Sequence, residues 1–187
     1  MNALSIKKGT QRKSAYNLRH SFGDTVETHT LAILVDNEAG VLARVIGLFS
    51  GRGYNIESLT VAETDHSGKL SRITVVTTGT PQIIEQIKAQ LDRIVPVQEV
   101  HDLTVEGPSV ERELALGKVA GSGEKRVEAM RTAEVFRARV VDSTLESFVF
   151  EITGTPEKID AFVELTRPLG LVELARTGVA AIARGGD

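Results

Sequence analysis

The sequence predicts an α+β fold made of two ferredoxin-like βαββαβ units in tandem. Three observations carry this prediction. Between Thr30 and Leu103, β-branched runs and stretches of helical periodicity follow the order strand, helix, strand, strand, helix, strand. After a turn-rich stretch, a similar order recurs between Glu113 and Ala175. The tetrapeptide Thr-Gly-Thr-Pro stands at 78–81 and again at 153–156, each time after a β-branched strand and before an amphipathic helix. Two copies in one context argue for two units of one architecture.

In the first unit, Leu31 to Val35 is apolar on both faces and reads as a central strand, ended by the turn-formers Asp36 and Asn37. Apolar residues at 41, 42, 45, 46, 48 and 49 give a helix over 41–51 with one buried face. Gly51 and Gly53 stop it, because a left-handed cap costs glycine almost nothing. A strand from Ile56 to Ala62 leads into the turn Asp65-His66-Ser67-Gly68, with Gly68 available for a positive φ, and Leu70 to Thr78 returns. Thr80 caps and Pro81 opens a second helix, whose stripe is 83, 84, 87, 91 and 94. After Pro96, Val97 to Leu103 forms the last strand.

The second unit starts with a strand from Glu113 to Ala120 and a turn at Gly121-Ser122-Gly123. A helix from Glu124 to Phe136 follows, with Val127, Met130 and Ala133 inward. Ala138–Val141 and Phe148–Thr153 read as strands, Ile159–Leu165 as a helix and Val172–Ala175 as the final strand. The chain thus divides into an arm (1–28), a first domain (29–103), a linker (104–109) and a second domain (110–187). In the arm, Lys7, Lys8, Arg12, Lys13 and Arg19 precede the first acid, Asp24, without apolar periodicity. It reads as a disordered or loosely docked segment, with an organelle transit peptide as the alternative.

Composition narrows the function classes. The 187 residues, 41% hydrophobic and 25% charged, are those of a soluble globular protein with room for two small domains. A net charge of −3 gives no general attraction to nucleic acid or anionic membranes. The absence of cysteine excludes disulfides, thiolate zinc sites and cysteine nucleophiles. No apolar run approaches the roughly 20 residues that span a bilayer. Few aromatics and no tryptophan argue against stacking platforms for single-stranded nucleic acid.

His20, His29, His66 and His101 show no helical pairing for a metal, and His66 and His101 read as surface residues. Gly121-Ser122-Gly123 lacks the third glycine of a dinucleotide fingerprint, Arg126 standing there, so it reads as a plain strand-to-helix turn. Glu111-Arg112-Glu113 and Glu124-Lys125-Arg126 read as solvated charges. No nucleophile, base and orienter can be assembled, so the chain is expected to catalyse nothing by itself.

The stretch from Asp36 to Leu59 is the one candidate site. Its loop presents free backbone N–H groups at a helix start, which suits a carboxylate, and Asn37 offers both donors and acceptors. A plain strand-to-helix turn would accommodate the same residues. Asn55, from its own position, reads as a turn residue tolerating a left-handed backbone after Gly53.

Leu34-Val35-Asp36-Asn37-Glu38-Ala39-Gly40-Val41-Leu42-Ala43-Arg44-Val45-Ile46-Gly47-Leu48-Phe49-Ser50, with Arg52 through Leu59, resembles the small, regulatory subunit of acetolactate synthase (acetohydroxyacid synthase). The likeness continues at Val110–Leu114, Glu134–Arg137 and Glu173–Val179, so it spans about residues 29–185 and leaves the arm uncovered. The resemblance implies that the first unit is an ACT domain and that the chain forms homodimers. It also implies binding to, and activation of, a large catalytic subunit carrying thiamine diphosphate, Mg2+ and FAD, with no cofactor in this chain. Cytoplasmic branched-chain amino-acid biosynthesis is the implied setting, with feedback inhibition by valine or another branched-chain amino acid. Transferred by position, Asn37, Gly40, Val41 and Leu42 of one protomer and Asn55 and Ile56 of the other hold the effector, with Val35, Leu42 and Val61 as walls. Ala43 departs from the serine of several relatives, which removes a hydroxyl near the site. The alternative is a stand-alone ACT-type amino-acid sensor acting on another enzyme or regulator.

Overall fold

The computed structural model describes residues 25–65 and 67–185; most of the basic arm and His66, with the readings made of them, lie outside the described residues. The first sheet holds β1 (Glu27–Asp36), β2 (Ser58–Asp65), β3 (Leu70–Gly79) and β4 (Val97–Asp102), antiparallel throughout in the order β2-β3-β1-β4. Helices α1 (Val41–Arg52) and α2 (Pro81–Leu91) cover one face. Alternate residues Leu31, Ile33, Val35, Ile73 and Val75 meet Val45 and Phe49 of α1 and Ile84, Ile87 and Leu91 of α2 in one core. Each of these large side chains contributes roughly 1.5–3 kcal/mol by leaving water.

Three details of this unit depart from the sequence reading. β1 begins at Glu27, so the first residues of the ladder come from what reads as arm. Thr28 and Thr30 suit a pleated strand without being apolar, and the Thr30 amide donates to Thr104 Oγ1 at 2.9 Å. His29 turns inward, its Nδ1 2.8 Å from Asp102 Oδ2, and both side chains are buried. In the β2–β3 turn Lys69, not Gly68, takes the positive φ. Asp65 Oδ1 there accepts from the amide and hydroxyl of Ser67 at 2.8 and 2.6 Å, fixing the bend. β2 starts at Ser58 rather than Ile56, because Asn55 to Glu57 lie off the ladder.

The second sheet repeats the first. β5 (Ser109–Ala120), β6 (Arg139–Ser143), β7 (Ser147–Gly154) and β8 (Leu171–Arg176) are ordered β6-β7-β5-β8, with α3 (Glu124–Phe136) and α4 (Pro156–Gly170) on one face. The two tetrapeptides are equivalent helix starts. Thr80 and Thr155 are extended N-caps whose hydroxyls accept from the Ile83 and Lys158 amides, and Pro81 and Pro156 follow at the first helical positions. That placement explains why α4 begins before Ile159. It also runs past Leu165, through Pro168, with the Thr166 hydroxyl donating to the Phe162 carbonyl at 2.9 Å near the break.

Val127 is half exposed rather than inward; Ala129 and Ala133 supply the buried contacts of α3. Beneath it Phe162 packs edge-on against Phe136 and Phe150 at centroid distances of 5.6 and 6.2 Å. The linker is shifted by one residue, to 103–108, because β4 ends at Asp102 and β5 starts at Ser109. Its first residues pair with β9 (Ala180–Ala183), which follows β8 and is too short and small-sided to show a period.

The charges read as solvated divide. Glu113 is buried and receives two guanidinium bonds from Arg176 at 2.6 Å each, while Arg176 also donates to Asp160 at 2.6 Å. Arg126 lies over the Phe148 ring, 3.7 Å from its centroid, and donates to the Thr144 carbonyl. Arg112, Glu124 and Lys125 are exposed, as expected.

His101 is a surface residue held between Glu99 and Glu106 at 3.1 and 3.0 Å. The hydrogen bond its ring donates to Glu99, then the one it donates to Glu106, raises its pKa above the usual imidazole value. Because the folded value is the higher one, the stabilisation is complete below the unfolded value and disappears as pH rises through the folded one. With the ring half exposed, screening limits the gain to a few tenths of a kcal/mol. In an NMR titration the ring should turn over above a model-peptide histidine, near pH 6.5; a midpoint at or below that would show the pairs absent in solution.

Candidate effector site

Backbone bonds shape the loop between β1 and α1. Asp36 N–H donates to the Pro96 carbonyl at 2.8 Å and Asn37 N–H to that of Lys69 at 2.6 Å, pinning the loop to both neighbouring strands. The Asp36 carboxylate receives Gln98 Nε2 at 3.0 Å. Gly40 is the N-cap, in a left-handed conformation (φ 85°) that glycine adopts without strain, and no side chain caps the helix. Val41 N–H reaches the Glu38 carbonyl at 3.3 Å, and the Gly40 carbonyl takes the Arg44 amide. The amides of Leu42 and Ala43, in the first turn, have no acceptor within the helix and carry its positive dipole end. An anion would therefore meet Leu42 and Ala43 more directly than Val41. Asn37 and Gly40 are exposed, Leu42 half-buried, and Val41 is locked into the core beside Val45.

Asn55 and Ile56 sit at the other end of α1. Gly53 caps that end in a left-handed conformation, with Tyr54 N–H on the Phe49 carbonyl at 2.9 Å. Asn55 has no positive φ, so the left-handed reading belongs to Gly53 alone. The Asn55 carbonyl accepts from Thr77 Oγ1 at 2.6 Å, leaving its side chain exposed, while Ile56 packs partly on the core. Asn37 and Gly40 precede the 12-residue α1 and Asn55 and Ile56 follow it, so the two groups sit at opposite ends of about 18 Å of helix, with Val41 and Leu42 in its first turn. One chain does not bring them together. Of the proposed walls, Val35 is fully buried under the loop, whereas Val61, on the helix face of edge strand β2, is 44% exposed.

A concavity of about 710 Å³ opens between the two units, away from the start of α1, lined in part by Glu57, Ser58, Glu111, Glu157, Arg176 and Val179. Its arginine is already held by Glu113 and Asp160, and the remaining carboxylates repel an anion. A free amino acid's carboxylate is better served at the start of α1. No local pattern of residues points to this cleft, since its lining comes from both halves of the chain. Among the described residues no group of three His, Asp or Glu is placed to hold a metal ion, and no helix is long and apolar enough to cross a membrane.

This geometry defines a class, two ferredoxin-like βαββαβ domains in tandem. Residues 31–99 match the family described as the AHAS small subunit-like ACT domain, and residues 112–185 match the family described as the small subunit of acetolactate synthase. The chain is 48% identical to a probable acetolactate synthase small subunit of Archaeoglobus fulgidus, over 84% of this chain and 97% of that one. It is 47% identical to the acetolactate synthase isozyme 3 small subunit of Escherichia coli, over 83% and 94%. The crystal structure of the Thermotoga maritima acetolactate synthase small subunit superposes with a TM-score of 0.77 at 37% identity, covering 86% of this chain and 99% of that one. The chain belongs to the acetolactate synthase small-subunit family.

Proposed function

We propose that this chain binds and activates the large catalytic subunit of acetolactate synthase and makes it sensitive to valine or another branched-chain amino acid. The observation that carries the effector role is the start of α1. A left-handed, side-chain-free Gly40 leaves the first-turn amides accessible to a carboxylate, beside the exposed amide of Asn37. The separation of Asn37 and Gly40 from Asn55 and Ile56 favours a homodimer in which each site draws on two protomers. The uncovered Val61 on edge strand β2 is consistent with a partner chain there. Thiamine diphosphate, Mg2+ and FAD belong to the catalytic partner in this reading, and the chemistry occurs there.

Reconstitution tests it. The purified chain alone should form no acetolactate from pyruvate, yet should raise the activity of the catalytic subunit several-fold and render it inhibitable by valine. Turnover by this chain alone, free of catalytic subunit, would overturn the assignment. Failure to co-purify with or stimulate a large subunit would favour a stand-alone sensor.

A further inference from the structure

The two units are joined by more than the chain connection at Gly107-Pro108. β8 and β9 follow each other along β5, interrupted at Thr177-Gly178-Val179, and β9 lies on the face of the first sheet opposite α1 and α2. There Val179 and Ala181 are buried with Ala32, Val76 and Leu103, in a cluster distinct from the two domain cores. Three hydrogen bonds fix the register. Ser58 Oγ accepts from the Val179 amide at 2.8 Å, Thr60 Oγ1 donates to the Val179 carbonyl at 2.8 Å, and Arg72 donates to the Ala181 carbonyl at 2.9 Å. Gly178 has φ +84°, and a Cβ there would lie 2.8 Å from Ser58 Oγ and 3.3 Å from the Leu59 carbonyl oxygen. The closeness of the two backbones is thus built into the sequence at Gly178.

Ser58 is two residues beyond Ile56. The segment Asn55–Glu57 is tied to β3 by the Asn55 carbonyl and the Glu57 amide, and it passes directly into the strand that grips β9. We infer that Ser58 and Thr60 are the positioning residues that pass the effector-bound state of the first unit to the second, by holding Val179 at the start of β9. The inference rests on the reading that Asn55 and Ile56 contact the effector. A shift of that segment moves Ser58 with it, and Ser58 and Thr60 clamp opposite ends of the Val179 peptide unit and its neighbour. The apolar cluster keeps β9 seated while these polar contacts set its register, so the hydroxyls can be removed without exposing the cluster.

The test uses the full chain, alone and reconstituted with the catalytic subunit, with valine as the probe. A Ser58→Ala/Thr60→Val variant should bind valine as the isolated wild type does by calorimetry and still stimulate the catalytic subunit. Its half-inhibitory valine concentration should rise roughly tenfold, within the usual range of coupling between sites. Thr60→Ser, which keeps the hydroxyl, should restore most of the inhibition. In the wild type, valine should slow hydrogen exchange at the Val179 amide, a readout that does not depend on the variant folding. Unaltered inhibition in the double variant, or a Val179 amide indifferent to valine that binds, overturns the relay while leaving the effector site standing. A wild-type chain that gives no binding heat with valine overturns the effector reading, and the relay with it.

Discussion

Arg176→Met should destabilise the second unit by roughly 3 kcal/mol, the low end of the range for breaking a buried ion pair, because a third of the arginine side chain remains exposed. The loss comes mostly from what is left behind. The Glu113 side chain is 4% exposed, and its two oxygens take both of their 2.6 Å bonds from Arg176. Without them a carboxylate stays in the sheet–helix interior with its solvation unreplaced. Adding Glu113→Leu should recover most of the loss, since an apolar pair of similar volume is often as stable as the ion pair it replaces. Urea unfolding of the two variants decides the matter, with the single substitution also lowering the melting temperature by roughly 6–12 °C for a chain of this size. A loss below about 1 kcal/mol would mean that the pair behaves as a solvated surface pair.

Glu113 also shows where the sequence stops being readable. Glu111-Arg112-Glu113 looks like a solvated run because its neighbours in sequence are charged, yet the partner that makes burial of Glu113 tolerable is 63 positions away on β8. The same limit hid His29 against Asp102 and the cleft between the units. Local signals fared well where local physics decides. Thr80-Pro81 fixes a helix start, Gly53 fixes a helix end, and the apolar run from Leu31 to Val35 marks a central strand. They failed at Gly68, where turn geometry put the strained φ one residue on, at Lys69. They failed too at β9, four residues whose place is set by the ladder with β5 and by contacts to Ser58, Thr60 and Arg72 rather than by any period of their own. Within the candidate site the glycine-led helix start was legible, because glycine before an amphipathic helix has a mechanism. That its two halves are separated by the length of α1 required the fold.

Gly40→Asp should abolish valine inhibition and leave stimulation of the catalytic subunit largely intact. The added carboxylate would stand at the start of α1, where the ligand's own carboxylate is proposed to sit. Two like charges about 4 Å apart at an effective dielectric near 20 repel by on the order of 4 kcal/mol, close to a thousandfold in affinity. Folding suffers less. Gly40 has φ 85°, so any side chain there is strained by roughly 1–2 kcal/mol, with aspartate among the residues that best tolerate it. A Cβ at this position meets nothing within 4 Å, so no steric term is added. Gly40→Ala introduces at least as much strain without the charge and should keep most of the affinity, which separates the two causes. Asn37→Ala removes polar contacts only and should weaken binding by roughly 1–3 kcal/mol. An effector shifts activity only as far as it prefers one state of the protein, so each variant should lose binding and inhibition in proportion. Calorimetry with valine on the wild type and the three variants, read beside inhibition curves of the reconstituted complex, measures both. Wild-type affinity in Gly40→Asp would move the effector site away from this loop.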